Sequence, residues 1–183
     1  MRRTGLKGLV AAGVVATGVM ASGSPALASD MFLKIGNIQG ESQDAKHKGE
    51  IDVLSWSWGQ STGAARTRRG PVPTACAQDL SFVKEIDSAS PALIMLGVTG
   101  DVVPDAKLTV RSSGENAAEY LILQMTNVSV PSFQTGGSAG QDSKLTEQVV
   151  LHFESMKGEY RRQNPDGSFA GPPIYFEVSG ACP

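Results

Sequence analysis

Histidine and cysteine are nearly absent from this 183-residue chain, which holds two of each. Two histidines exclude a three-histidine metal centre, and no dense run of carboxylates takes its place. His47 sits between Lys46 and Lys48 in a polar turn and His152 on the polar face of an alternating segment, so both read as solvated or hydrogen-bonded surface residues. The glycine-rich run Gly136, Gly137, Ser138, Ala139, Gly140 lacks the Lys and Ser/Thr of a phosphate-binding loop and reads as a flexible hairpin loop. Asp101 and Asp105 flank Val102, Val103 and Pro104 without the acidic spacing of a calcium loop, and read as turn residues. A catalytic site needs a nucleophile with a base, a metal cluster or paired carboxylates. The sequence offers none of these, so no catalytic residue, cofactor or metal is expected.

Positive charge is also scarce. Beyond residue 28 the chain carries 13 basic against 18 acidic groups, a formal charge of −5. That excludes a polybasic nucleic-acid or membrane-surface protein, so neither nucleic acid nor stable membrane insertion is expected. At 40% hydrophobic and 19% charged residues the chain is not disordered, while 21 Gly and 10 Pro predict many turns and a lean towards β structure.

What is present begins with an address. Met1 to Lys7 is cationic, Gly8 to Met20 is apolar and small, and Ala26, Leu27, Ala28 gives a small-x-small pattern. This is the layout of a cleavable signal peptide over residues 1–28, with a single mature domain over 29–183 in a secreted or periplasmic location. The apolar stretch is shorter and more Gly-rich than the roughly 20 residues that span a bilayer. Arg2 and Arg3 leave both the general secretory and the twin-arginine route open. Export makes a disulfide between Cys76 and Cys182 a candidate, with two unpaired thiols as the alternative.

Along the mature chain, Phe32 to Ile35 reads as a strand ended by Gly36 and Asn37. Ile51 and Val53 alternate with Asp52, the phase slips, and Leu54, Trp56 and Trp58 then alternate with Ser55 and Ser57. One register slip in a period of two is the mark of a strand with a β-bulge. Leu54, Trp56, Trp58, Leu80 and Phe82 are the candidate core, the alternative for the tryptophans being an exposed aromatic platform. Residues 60–77 show no periodic apolar pattern and read as a long irregular connection that carries Arg66, Arg68 and Arg69 as candidate contacts between subunits. Ser90, Pro91 and the apolar run up to Gly97 supply N-cap, first-turn and stop signals for the one predicted helix. Alternation returns at Leu108 and Val110, through Tyr120 to Val130, and at Leu145, Val149, Leu151 and Phe153. A continuation through Tyr160 is expected to pair, across Pro165, Asp166 and Gly167, with a last strand containing Ile174, Phe176 and Val178. Seven to nine strands and one helix predict a barrel or sandwich.

The segments Phe32-Leu33-Lys34-Ile35, Gly40-Glu41-Ser42, Lys46-His47-Lys48 and Val53-Leu54-Ser55-Trp56-Ser57-Trp58-Gly59 resemble the opening of the Hcp family, the haemolysin-coregulated tube proteins of type VI secretion. Gln78-Asp79-Leu80-Ser81-Phe82, Ala89-Ser90-Pro91, Thr99-Gly100, Lys107-Leu108-Thr109-Val110-Arg111, Glu119-Tyr120-Leu121 and Leu145-Thr146-Glu147 continue it in the family's order. The resemblance implies a two-sheet β-barrel with one short flanking α-helix. It also implies a non-enzymatic structural subunit that forms homohexameric rings, which stack into a tube and carry small effectors. A signal peptide is unusual for this family, and its presence keeps a second reading open: an exported, monomeric binding module with the same barrel.

Overall fold

The computed structural model describes residues 29–67, 70–113, 117–137, 144–164 and 166–179. Residues 1–28, the candidate signal peptide, lie outside them, as do Arg68, Arg69 and Cys182. Ten strands and one helix run in the order β1 (Ser29–Ile35), β2 (Ile51–Ser57), β3 (Gln60–Thr67), β4 (Gly70–Ala77), β5 (Leu80–Glu85), α1 (Ser90–Thr99), β6 (Val103–Ser112), β7 (Glu119–Gly136), β8 (Thr146–His152), β9 (Ser155–Tyr160) and β10 (Ile174–Ser179).

All pairings are antiparallel, and the ladder β7-β6-β1-β2-β5-β8 closes on itself because β8 also pairs with β7. The result is a six-stranded barrel, mainly β, with two sheets and one flanking helix. β7 makes closure possible. Its first half pairs with β6 and β9 and its second half with β8, and between them Asn127 takes a positive φ of 51° and the register shifts between Ser129 and Ser132. Such a local break bends one long strand from one sheet into the other. β9 and β10 extend the ladder beyond the barrel, and β10 pairs with β9 from Ile174↔Tyr160 to Ser179↔Ser155.

The core is the inward set of alternating residues: Leu33, Ile35, Ile51, Val53, Leu80, Phe82, Leu108, Leu123, Met125, Val149, Leu151 and Phe153 are buried. The phase slip in β2 is a bulge, with Val53 opposite Lys84 and Ser55 opposite Val83, which leaves Leu54 as the extra residue. The core expectation for Leu54 is therefore corrected, since the bulge turns it outward and it is 48% exposed. Trp56 and Trp58, beyond the bulge, return to the inner face and pack against the core while partly buried. Leu80 and Phe82 are fully buried.

The irregular connection expected over residues 60–77 is instead a regular hairpin. β3 and β4 pair with each other from Gln60↔Ala77 to Thr67↔Gly70 and form a separate two-stranded sheet. A backbone ladder needs no apolar period to form, so pattern reading does not see it. Arg66 and Cys76 lie on β3 and β4.

The helix starts one residue earlier and stops later than its sequence signals suggest. Its N-cap is Ala89, and Gly100 in the left-handed conformation ends it, its N–H donating to the Leu96 carbonyl at 3.1 Å. Gly97 lies inside the helix, where a Cβ would come within 3.2 Å of the Val130 carbonyl oxygen. It is there for close approach to β7.

Candidate functional site

Two buried polar clusters fix the barrel's attachments. In the first, Lys84 is wholly buried, and its Nζ donates to Asp87 Oδ1 at 2.6 Å, the Glu85 carbonyl at 2.7 Å and Ser90 Oγ at 3.0 Å. Glu147 Oε2 lies 2.9 Å from the same amine and accepts the Ser90 hydroxyl at 2.6 Å. Lys84 and Glu147 face each other across β5 and β8. The serine expected as the helix cap is instead the first helical residue and turns inward; Ala89 is the N-cap without a side-chain cap bond, its own N–H donating to Asp87 Oδ1 at 2.9 Å. The cluster ties the helix start to the barrel wall.

The second cluster corrects the surface reading of His47. Residues 40–50 fold back through Gly40 N–H to the Gly49 carbonyl at 2.8 Å and Ser42 N–H to the Glu50 carbonyl at 3.0 Å. This brings His47 to 3% exposure, stacked on Phe32 with ring centroids 4.2 Å apart. Its Nδ1 donates to Glu50 Oε2 at 2.9 Å, and Nε2 stands 3.5 Å from Glu119 Oε1. Arg111 lies over the same Phe32 ring, 4.9 Å from its centroid, and pairs with Asp44 at 2.6 Å and Asp30 at 3.0 Å. The flanking lysines point the sequence reading to solvent because nothing local reveals that the loop closes over β1. His152 stays on the surface, its Nδ1 donating to Asp79 Oδ1 at 2.9 Å.

The Arg111 guanidinium, hydrogen-bonded to Asp44, holds that carboxyl well below its ordinary range, with the Lys46 N–H acting in the same direction. Asp44 reciprocally raises Arg111. A depressed native pKa contributes stability above the unfolded carboxylate value and loses it as pH falls. Thermal stability of the mature protein is therefore expected to hold at neutral pH and decline from about pH 4 downward. Asp44→Asn should flatten part of that decline, and an unchanged slope in the variant would remove Asp44 as its source.

Among the described residues, no group of three or more His, Cys, Asp or Glu is placed to hold a metal, and no helix is long and apolar enough to cross a membrane. The exposed surface carries the functional signal. α1 has no charged residue and leaves Ile94, Met95 and Val98 exposed, Val98 to 75%, beside exposed Val102. β10 ends the eight-strand ladder among the described residues and exposes Ile174, Tyr175 and Phe176, the last stacked with Trp58 at 6.3 Å. Apolar patches and open strand edges of this kind are surfaces that assembling proteins cover.

The fold is that of a closed β-barrel protein with exposed apolar surface on α1 and β10. The sequence profile of the family described as "Type VI secretion system effector, Hcp" matches residues 32–160, which takes in the barrel from β1 to β9. The chain is 45% identical over 153 residues to "Protein hcp1" of Pseudomonas aeruginosa, covering 82% of this chain and 94% of that protein. It is also similar to the crystal structure of Hcp1 from Salmonella typhimurium, with a TM-score of 0.67 and 35% identity over 84% of this chain and 95% of that one. A type VI secretion system effector from Yersinia pestis gives a TM-score of 0.61 at 27% identity, over 82% and 99% of the two chains. The chain belongs to the Hcp family of type VI secretion proteins.

Proposed function

We propose that this protein is a non-enzymatic tube-type subunit that forms homohexameric rings, that the rings stack, and that their channel carries small effectors. The observation that carries the reading is the family match across the whole barrel. The open apolar surface of α1 supports it, because an isolated barrel leaves Met95 and Val98 in water whereas a neighbouring subunit would cover them. The hairpin β3–β4 is the stacking arm in this reading, with Arg66, Arg68 and Arg69 as its contacts.

Residues 1–28 are a cleavable signal peptide in the same proposal, placing the mature chain in the periplasm or outside the cell. There an oxidising environment favours a Cys76–Cys182 disulfide. The address also favours the second reading, an exported monomeric binding module. Light scattering on residues 29–183 separates the two, a ring giving about six times the monomer mass and the module giving monomer at every concentration. Within the ring reading, replacing Arg66, Arg68 and Arg69 with serine should keep the circular dichroism spectrum and the ring mass while abolishing salt-sensitive stacking seen by electron microscopy. Loss of the ring itself would place the arm within it.

A further inference from the structure

β1 begins at the first residue expected in the mature chain. Ser29 already stands opposite Ser112 and Asp30 opposite Arg111, and the pairing with β6 continues without a slip to Ile35↔Ala106. Side chains reinforce the start of the strand. Asp30 Oδ2 accepts from the Arg111 guanidinium at 3.0 Å, and the Ser29 hydroxyl stands 3.2 Å from that of Tyr120 on β7. Ser112 is itself buried, and its hydroxyl oxygen accepts the Ala118 N–H at 3.2 Å and the Gln163 amide at 3.1 Å. The barrel wall thus starts directly on the carboxyl side of the Ala28–Ser29 bond, with no spacer between.

That closeness constrains the removal of residues 1–28. A peptidase takes its substrate as an extended segment and hydrogen-bonds the backbone on both sides of the bond it cuts. On the leaving side that segment is Ser29 and Asp30, which are already committed to β6. To free them, the head of β1 must leave the ladder. Just beyond, Leu33 and Ile35 are fully buried, and β1 is a link in the closed ladder β7-β6-β1-β2-β5-β8, so the strand frays only a short way before the barrel itself opens. Cleavage that waits for such an opening is slowed by the fraction of time the segment is open.

Resting on the signal-peptide reading given above, we propose that residues 1–28 are cut from an unfolded chain, before β1 pairs with β6, and that the chain is therefore exported unfolded by the general secretory route. The twin-arginine route, which Arg2 and Arg3 leave open in the sequence, carries folded cargo. It would deliver a closed barrel with the Ala28–Ser29 bond held against its wall. Barrel closure follows removal of the peptide and takes place outside the cytoplasm.

The test uses the full precursor, residues 1–183, with signal peptidase in detergent and the Ser29 amino terminus read by mass spectrometry. Precursor diluted straight from urea should be cut, and precursor first refolded to the circular dichroism spectrum of the mature protein should be cut at least about tenfold more slowly. A flexible Gly-Ser spacer of about ten residues after Ala28 should bring the folded rate back to the unfolded one. In cells that carry both routes, R2K/R3K should leave the yield of exported mature protein unchanged, because only the twin-arginine route requires the arginine pair. Equal cleavage rates for folded and unfolded wild-type precursor, or loss of export in R2K/R3K, overturn the proposal and leave the signal peptide standing. Failure to cut the urea-diluted precursor and the spacer variant alike overturns the signal-peptide reading and this inference with it. A precursor that does not refold is judged on R2K/R3K alone.

Discussion

Lys84→Met should lower the unfolding free energy by about 3–5 kcal/mol, the cost of stripping one partner from a buried ion cluster. At about 2–4 °C per kcal/mol for a domain of this size, the melting temperature should fall by about 6–20 °C. The reason lies less in the lost ammonium than in what remains. Glu147 is almost fully buried and Asp87 nearly so, and without Lys84 their charges face each other unneutralised beneath the helix start. Removing the stranded charge as well should recover part of the loss, so Lys84→Met with Glu147→Gln should cost less than the two single losses added. Denaturant unfolding of the four members of that cycle measures the coupling directly. Strict additivity, or a loss under about 1 kcal/mol for Lys84→Met, would mean that the amine is solvated.

Gly40→Ala is the second large effect, and it acts through the backbone alone. A Cβ at position 40 would stand 2.4 Å from the Glu50 carbonyl oxygen and 2.8 Å from the Ile51 Cα. No side-chain rotation relieves either contact. The loop over β1 must shift, loosening the stack of His47 on Phe32, and a cost of about 3 kcal/mol is expected, the upper part of the usual overpacking range. Hydrogen exchange should speed up at the Gly40, Ser42 and Gly49 amides, whose bonds close this loop. Gly136→Ala is the control, because nothing lies within 4 Å of its added methyl and its φ is not positive, so a change within about 0.5 kcal/mol is expected.

The barrel was legible in the sequence wherever burial writes a period of two. The strands around Leu80 and Leu151 are half-buried ladders whose inward residues alternate, and even the bulge in β2 appears as a slip in that rhythm. Its consequence for Leu54 was not legible, because a bulge places two successive residues outside and the sequence does not mark which of them is extra. The hairpin was invisible for the opposite reason, its residues 60–77 carrying no apolar period. The helix was mistimed because Gly97 has the composition of a stop while serving close packing, and the true stop at Gly100 lies past an exposed valine and threonine. The buried clusters were missed because Lys84 and Glu147 are 63 positions apart and each sits in a strand where charge reads as surface. The family's ordered motifs, by contrast, carried the overall architecture.

The pairing of β1 with β6, register by register from Ser29↔Ser112 to Ile35↔Ala106, sets when this chain can fold during its synthesis. The first strand has one partner, β2, close behind it and waits for the other, whose nearest residue lies about 70 positions downstream. At ~5–20 residues per second, that wait lasts about 4–15 seconds, and closure through β7 and β8 comes later still. A barrel with such distant pairings condenses slowly even when complete, since loop closure precedes most of its contacts. Until β6 emerges β1 can pair only with β2, and Phe32, Leu33, Ile51 and Val53 lack the rest of the barrel for seconds, a period in which a chaperone competes for the same strands.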